Sequence, residues 1–146
     1  LTHKELVSIA GRWLRNTEKC SVVLSELVSQ AEVPDAVGWK NRQSRLVECK
    51  ATRSDFLADQ KKHARLIIPK HYAFGMGTFR YYMVPEGLVV PSEVPKGWGL
   101  LQVTFTGRVK RTIRSARWWL PEIEIYHEMG LLLSALRRYQ ESERMQ

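Results

Sequence analysis

Two carboxylates and an amine recur in this sequence in an arrangement suited to phosphodiester chemistry. Asp35 follows Val33-Pro34, and Glu48 and Lys50 stand within Leu46-Val47-Glu48-Cys49-Lys50. A strand sends successive side chains to opposite faces, so Glu48 and Lys50 share one face, roughly 6–7 Å apart, while Val47 and Cys49 point the other way. Asn41-Arg42-Gln43-Ser44 is polar and turn-like, and Ala36 to Trp39 supplies a partner strand, so this stretch predicts a hairpin. A loop of two or four residues seats Asp35 opposite Lys50 and diagonal to Glu48; an odd loop sends Asp35 to the other face. Two hard carboxylate donors suit magnesium or manganese, which polarises phosphate and generates hydroxide. An ammonium beside them can orient water or offset charge developing on phosphate.

Pro34-Asp35 followed by Glu48-Cys49-Lys50 resembles the motif of the PD-(D/E)xK nuclease superfamily. Thr52-Arg53-Ser54-Asp55-Phe56-Leu57-Ala58-Asp59, Tyr81-Tyr82-Met83-Val84-Pro85 and Gly87-Leu88-Val89-Val90 are similar to bacterial and phage proteins of that group, nearest to its MmcB-like DNA-repair branch. The resemblance spans about residues 2 to 107. It implies a restriction-endonuclease-like fold in which Asp35, Glu48 and the Cys49 carbonyl hold Mg2+ or Mn2+ and Lys50 assists the attacking water. The implied activity is hydrolysis of DNA phosphodiester bonds, as an endonuclease in DNA repair or phage-related DNA processing. A noncatalytic nucleic-acid-binding module, or a subunit that recruits a partner enzyme, is the alternative on the same fold.

Those side chains need a scaffold. Thr2-His3-Lys4-Glu5 is a capping box, and Leu6, Ile9, Ala10, Trp13 and Leu14 follow at helical spacing, predicting a first helix that ends near Asn16. Cys20 to Val28 reads as a strand with Val22, Leu24, Glu26 and Val28 on one face. A carboxylate on an apolar face needs a metal or an ion pair, so Glu26 is either a third acidic ligand or a structural partner of an arginine. The superfamily often takes a further acid from its first helix, which leaves Glu5 and Glu18 as other counterparts. Thr52 to Asp55 caps a second helix from Asp55 to about Leu66. Arg80 to Val84, Leu88 to Val90 and Gly99 to Phe105 read as strands, with Tyr81 and Tyr82 as packing residues. Pro121 opens a last helix whose Ile123, Met129, Leu132, Leu133, Leu136 and Tyr139 form a broad apolar face for internal packing or for a homodimer. The expected architecture is a single α/β domain over residues 1–146, a central mixed sheet flanked by helices, with a basic segment and amphipathic helix at about 108–143.

A chain of 146 residues buries a real core without staples. Its net charge of +8 favours a polyanionic partner, nucleic acid more than membrane, and the resemblance implies DNA. Arg108, Lys110, Arg111, Arg114 and Arg117, followed by Trp118 and Trp119, form a basic cluster expected to track phosphate oxygens. No apolar run reaches spanning length, no signal-peptide pattern opens the sequence, and Cys20 and Cys49 do not make a disulfide scaffold. These features predict a cytoplasmic protein without membrane association. The glycines lack the spacing and lysine of a nucleotide-binding loop, which argues against an ATPase.

Overall fold

The computed structural model describes residues 1–25, 34–66 and 75–145, with the backbone alone described for 62–66. Its elements are α1 (His3–Asn16), β1 (Val22–Ser25), β2 (Ala36–Lys40), β3 (Gln43–Cys49), α2 (Arg53–Leu66), β4 (Phe79–Pro85), β5 (Gly99–Val103), β6 (Val109–Ile113) and α3 (Glu122–Arg144). The six strands lie side by side in chain order. β1, β2 and β3 are antiparallel neighbours, β3, β4 and β5 run parallel, and β6 returns antiparallel to β5. A parallel neighbour requires a crossover, and α2 lies within the one between β3 and β4. The carboxyl ends of the three parallel strands therefore lie together at one end of the sheet. The chain is an α/β domain with a mixed sheet, as expected.

α1 begins with the capping box foreseen, Thr2 Oγ1 accepting from the Glu5 N–H and Glu5 reaching back to the Thr2 N–H. Its apolar stripe of Leu6, Ile9, Ala10, Trp13 and Leu14 is buried against Val47, Cys49, Tyr81, Met83, Leu101 and Val103. Each large side chain so buried contributes about 1.5–3 kcal/mol, which stabilises a helix too short to persist alone. The alternate residues of the same strands, Leu46, Tyr82, Val84 and Leu100, face the other way and join Phe56 of α2 with Val89 and Trp98 in a second core. Period-two alternation thus gives the sheet two apolar faces.

Asn41 and Arg42 form the two-residue turn between β2 and β3, both at positive φ (52° and 64°). That backbone twist matches the strands it joins. Ala36 pairs with Val47. Continuing this register by one residue places Asp35 across from Glu48, so the expectation of Asp35 opposite Lys50 is off by one pair step, while the shared face is retained. The stretch Leu88 to Val90 is not a strand: Gly87 turns at φ 82°, Leu88 gives its carbonyl to Arg53, and a 3-10 turn follows at Pro91–Glu93. The first strand is described only over Val22–Ser25, so Glu26 lies outside the described residues. The basic segment, in turn, contains the edge strand β6.

α3 is anchored through charge. Glu128 is buried and accepts from Trp39 Nε1 (3.2 Å), Ser44 Oγ (2.7 Å) and the Gly77 N–H (2.8 Å). Nearby, Arg80 is buried over the Trp118 ring, 4.3 Å from its centroid. Burial pulls its guanidinium down to about 10, against the opposing pull of Glu124 and Glu128. Of the apolar face expected of this helix, Ile123, Met129, Leu133, Leu136 and Tyr139 are between 50% and 61% exposed and Leu132 is half-buried, while Ile125 and Tyr126, not foreseen in it, are also exposed. Among the described residues no helix is long and apolar enough to cross a membrane.

Candidate active site

At the carboxyl end of β3, where a parallel sheet leaves a crevice for ligands, a cleft of about 430 Å³ is lined by His3, Asp35, Glu48, Cys49, Lys50, Asp55, Ala58 and Asp59. Three elements build it. The hairpin brings Asp35, Glu48 and Lys50; the first turn of α1 brings His3; the first two turns of α2 bring Asp55, Ala58 and Asp59.

Asp35 sits one residue before β2 begins, and its carboxylate completes the ladder there. The Cys49 N–H donates to Asp35 Oδ2 (2.8 Å), while Asp35 Oδ1 lies 3.1 Å from His3 Nε2. The next N–H, that of Lys50, turns to the other neighbour and donates to the Met83 carbonyl (3.0 Å). A strand residue points its N–H and C=O to the same side, so the Cys49 carbonyl also faces the Asp35 side. The Cys49 thiol does not: it lies in the core under α1, where burial first, and then Asp35 and Glu48, push its pKa well above the usual thiol value. Glu48 is in register with Tyr82 of β4. Lys50 Nζ lies 3.4 Å from Asp59 Oδ1, and the Tyr82 hydroxyl donates to Asp59 Oδ2.

The structure therefore brings together Asp35, Glu48, Cys49 and Lys50, as the motif spacing predicts. Four further residues that line the cleft, His3, Asp55, Ala58 and Asp59, carry no role in the motif. Asp59 has a legible signal in the sequence, since it stands four residues after Asp55 on the same helical face; His3 reads only as part of a cap. Among the described residues, no group of three or more His, Cys, Asp and Glu side chains forms a metal cage. Asp35, Glu48 and the Cys49 carbonyl offer a hard oxygen set of the kind that fits Mg2+ or Mn2+ with water completing the shell. Among the described residues, four carboxylates and one lysine ammonium line the cleft. A phosphodiester would be repelled from such a lining unless a cation sat between them.

The basic cluster is divided by the fold. Arg111 projects over α1, where it donates to Glu18 Oε2 (3.0 Å) and lies 5.0 Å from the Trp13 ring. Lys110 pairs with Glu86 at 2.8 Å. Arg111 is thus held as a structural cation rather than presented to a ligand, because β6 pairs at the edge of β5 with Arg111 on the α1 face. Arg108, Arg114 and Arg117 are exposed. Arg108 precedes β6, at the same end of the sheet as the cleft. Arg114 and Arg117 follow it, at the opposite end, where the Ala116 N–H bonds Gly97 and the Trp118 N–H bonds Thr78.

No family model matches the chain, and no curated protein matches it either. Among solved structures, a protein of unknown function from Silicibacter pomeroyi is similar, with a TM-score of 0.67 and 20% sequence identity over 99% of this chain and 92% of that one. At that identity the likeness shows a shared fold.

Proposed function

We propose that this protein is a metal-dependent nuclease that hydrolyses DNA phosphodiester bonds, acting as an endonuclease in DNA repair or phage-related DNA processing. One observation carries the reading. The Asp35 carboxylate is fixed by the Cys49 N–H across from Glu48, with Lys50 in the same cleft. That arrangement follows from a two-residue turn and period-two alternation, and it meets the geometric requirement that the reacting groups share one small volume.

Asp35, Glu48 and the Cys49 carbonyl would hold the cation. When bound, a divalent ion supplies Lewis-acid polarisation of a phosphate oxygen and makes water acidic enough to attack near neutral pH. The hydrogen bond from Cys49 orients Asp35 before any ion arrives. Lys50 has three N–H donors; one directed at Asp59 leaves others to orient the attacking water or meet the charge that builds on phosphate. The exposed apolar face of α3 favours a second reading, a partner-recruiting subunit that is inert alone and active in a complex.

The test is a cleavage panel of linear, circular, single-stranded and branched DNA, and of RNA, with magnesium, manganese or chelator. Cleavage of DNA that depends on the metal is expected. Asp35→Asn, Glu48→Gln and Lys50→Ala are each expected to lower turnover by at least about a hundredfold while the thermal transition stays close to wild type. Full turnover by any one of them removes that residue from its role. Failure to bind metal would favour a noncatalytic module.

A further inference from the structure

We propose that Asp59 is the positioning residue of the cleft: its carboxylate, steadied by the Tyr82 hydroxyl, holds the Lys50 ammonium where the water and phosphate are met. The inference rests on the nuclease reading and adds to it a residue that the motif does not contain.

Lys50 is the first residue beyond β3, and its backbone is tied to Met83, but its flexible four-carbon stem leaves the ammonium free to occupy many positions. A rate that depends on this ammonium needs a restraint on it. Asp59 is well placed to give one. It lies on α2, one turn after Asp55, with Oδ1 3.4 Å from Lys50 Nζ, and the two side chains are only 14% and 18% exposed. A fully exposed pair would hold the lysine weakly; this one is mostly withdrawn from solvent.

The second contact is what separates it from an ordinary ion pair. Tyr82 has no solvent exposure and is clamped between Phe56, edge-on at 5.3 Å, and Trp98, stacked at 4.5 Å. Its hydroxyl donates to Asp59 Oδ2. Burial first, and then the Asp59 carboxylate, push ionisation of that hydroxyl far above its usual range, so it stays a donor at every working pH. A rigid core residue thus fixes one oxygen of Asp59, and the other oxygen fixes Lys50. The α2 end of this relay is itself set by Thr52, whose Oγ1 accepts from the Asp55 N–H (3.1 Å).

The experiment compares Asp59→Asn, Asp59→Glu and Tyr82→Phe with wild type in single-turnover cleavage, substrate affinity and manganese affinity. Asp59→Asn keeps the volume and is expected to lower the saturated rate by about ten- to a hundredfold, with both affinities within about twofold of wild type. Tyr82→Phe is expected to lower the rate less, and Asp59→Glu to recover part of it. An unchanged rate in Asp59→Asn, or a loss explained by weaker manganese binding, overturns the proposal. A readout independent of activity is the 15N resonance of the Lys50 ammonium, expected to be sharp and slow to exchange with water in wild type and broadened in Asp59→Asn and Tyr82→Phe. If the wild-type protein cleaves nothing, the nuclease reading fails on its own. In that case an unchanged Lys50 resonance in both folded variants still overturns the positioning role, and its broadening supports it.

Discussion

Cys49 divides its labour between two sides of β3. Its N–H and carbonyl face the cleft, whereas its thiol lies 1% exposed in the core under α1. Cys49→Ala is therefore expected to leave metal-dependent cleavage within about threefold of wild type, in contrast to its neighbours Glu48 and Lys50. The thiol should show itself in stability instead. Its pKa in the fold is raised above the ordinary 9.0, so folding favours the neutral form; its contribution is whole below pH 9.0 and is lost as the pH climbs from there toward the folded pKa. Over that window the unfolded chain gives up a proton that the native chain keeps, and stability falls by up to about 1.4 kcal/mol per pH unit. Urea denaturation between pH 8 and 10.5 is expected to show this alkaline fall in wild type and a shallower one in Cys49→Ala. Cys20, also raised by burial, accounts for part of what remains. Equal slopes for the two proteins would show that Cys49 ionises as readily in the fold as outside it.

At the scale of elements, the hairpin and α3 are held by different physics. The hairpin is local: Asn41 and Arg42 adopt the left-handed backbone its turn needs, and the ladder then carries Asp35 to Glu48. α3 is held from a distance by Glu128, whose carboxylate collects donors from β2, from β3 and from the turn that enters β4. Glu128→Ala leaves those donors buried and unpaired, and its expected cost is roughly 2–4 kcal/mol, read from the urea midpoint. The same variant is expected to speed proteolysis within α3 and to leave the saturated cleavage rate near wild type, because this anchor lies at the end of the sheet away from the cleft. A rate that fell together with stability would mean that α3 supports the site.

For the whole molecule, the positive charge is spread around an acid-lined cleft rather than gathered inside it. Proximity in sequence groups Arg108 to Arg117 as one phosphate-tracking surface; antiparallel pairing of β6 sends its two ends to opposite ends of the sheet and turns Arg111 toward Glu18. Replacing Arg108, Arg114 and Arg117 with Gln is expected to weaken DNA binding on every sequence and to lower the slope of log affinity against log salt by about one for each phosphate that is no longer neutralised. The saturated cleavage rate should change little. An unaltered slope would place the DNA-facing charge elsewhere. Arg111→Gln, by contrast, is expected to act mainly on stability, by about 1–3 kcal/mol, because it removes a half-buried charge-assisted bond.

What the sequence determined by itself was everything governed by short-range periodicity and local chemistry. The α/β class rests chiefly on the family resemblance and the parity of the hairpin loop stays open in the sequence, whereas the capping box at Thr2, the cap hydrogen bond at Thr52 and the alternation that puts Glu48 opposite in sense to Val47 and Cys49 follow from neighbours along the chain. The exact partner of Asp35 did not, because loops of two and four residues keep the same face and differ by one pair step. Leu88 to Val90 has the composition of a strand, yet Arg53, far away in sequence, takes the Leu88 carbonyl. Tertiary structure alone placed His3 beside Asp35, Asp59 between Lys50 and Tyr82, and Arg111 against Glu18. The physical reason is the same in each case. Such contacts join elements whose spacing in the chain carries no record of their approach, which is set only when two apolar faces of one sheet are covered and the charged side chains at its ends find whatever partners that packing delivers.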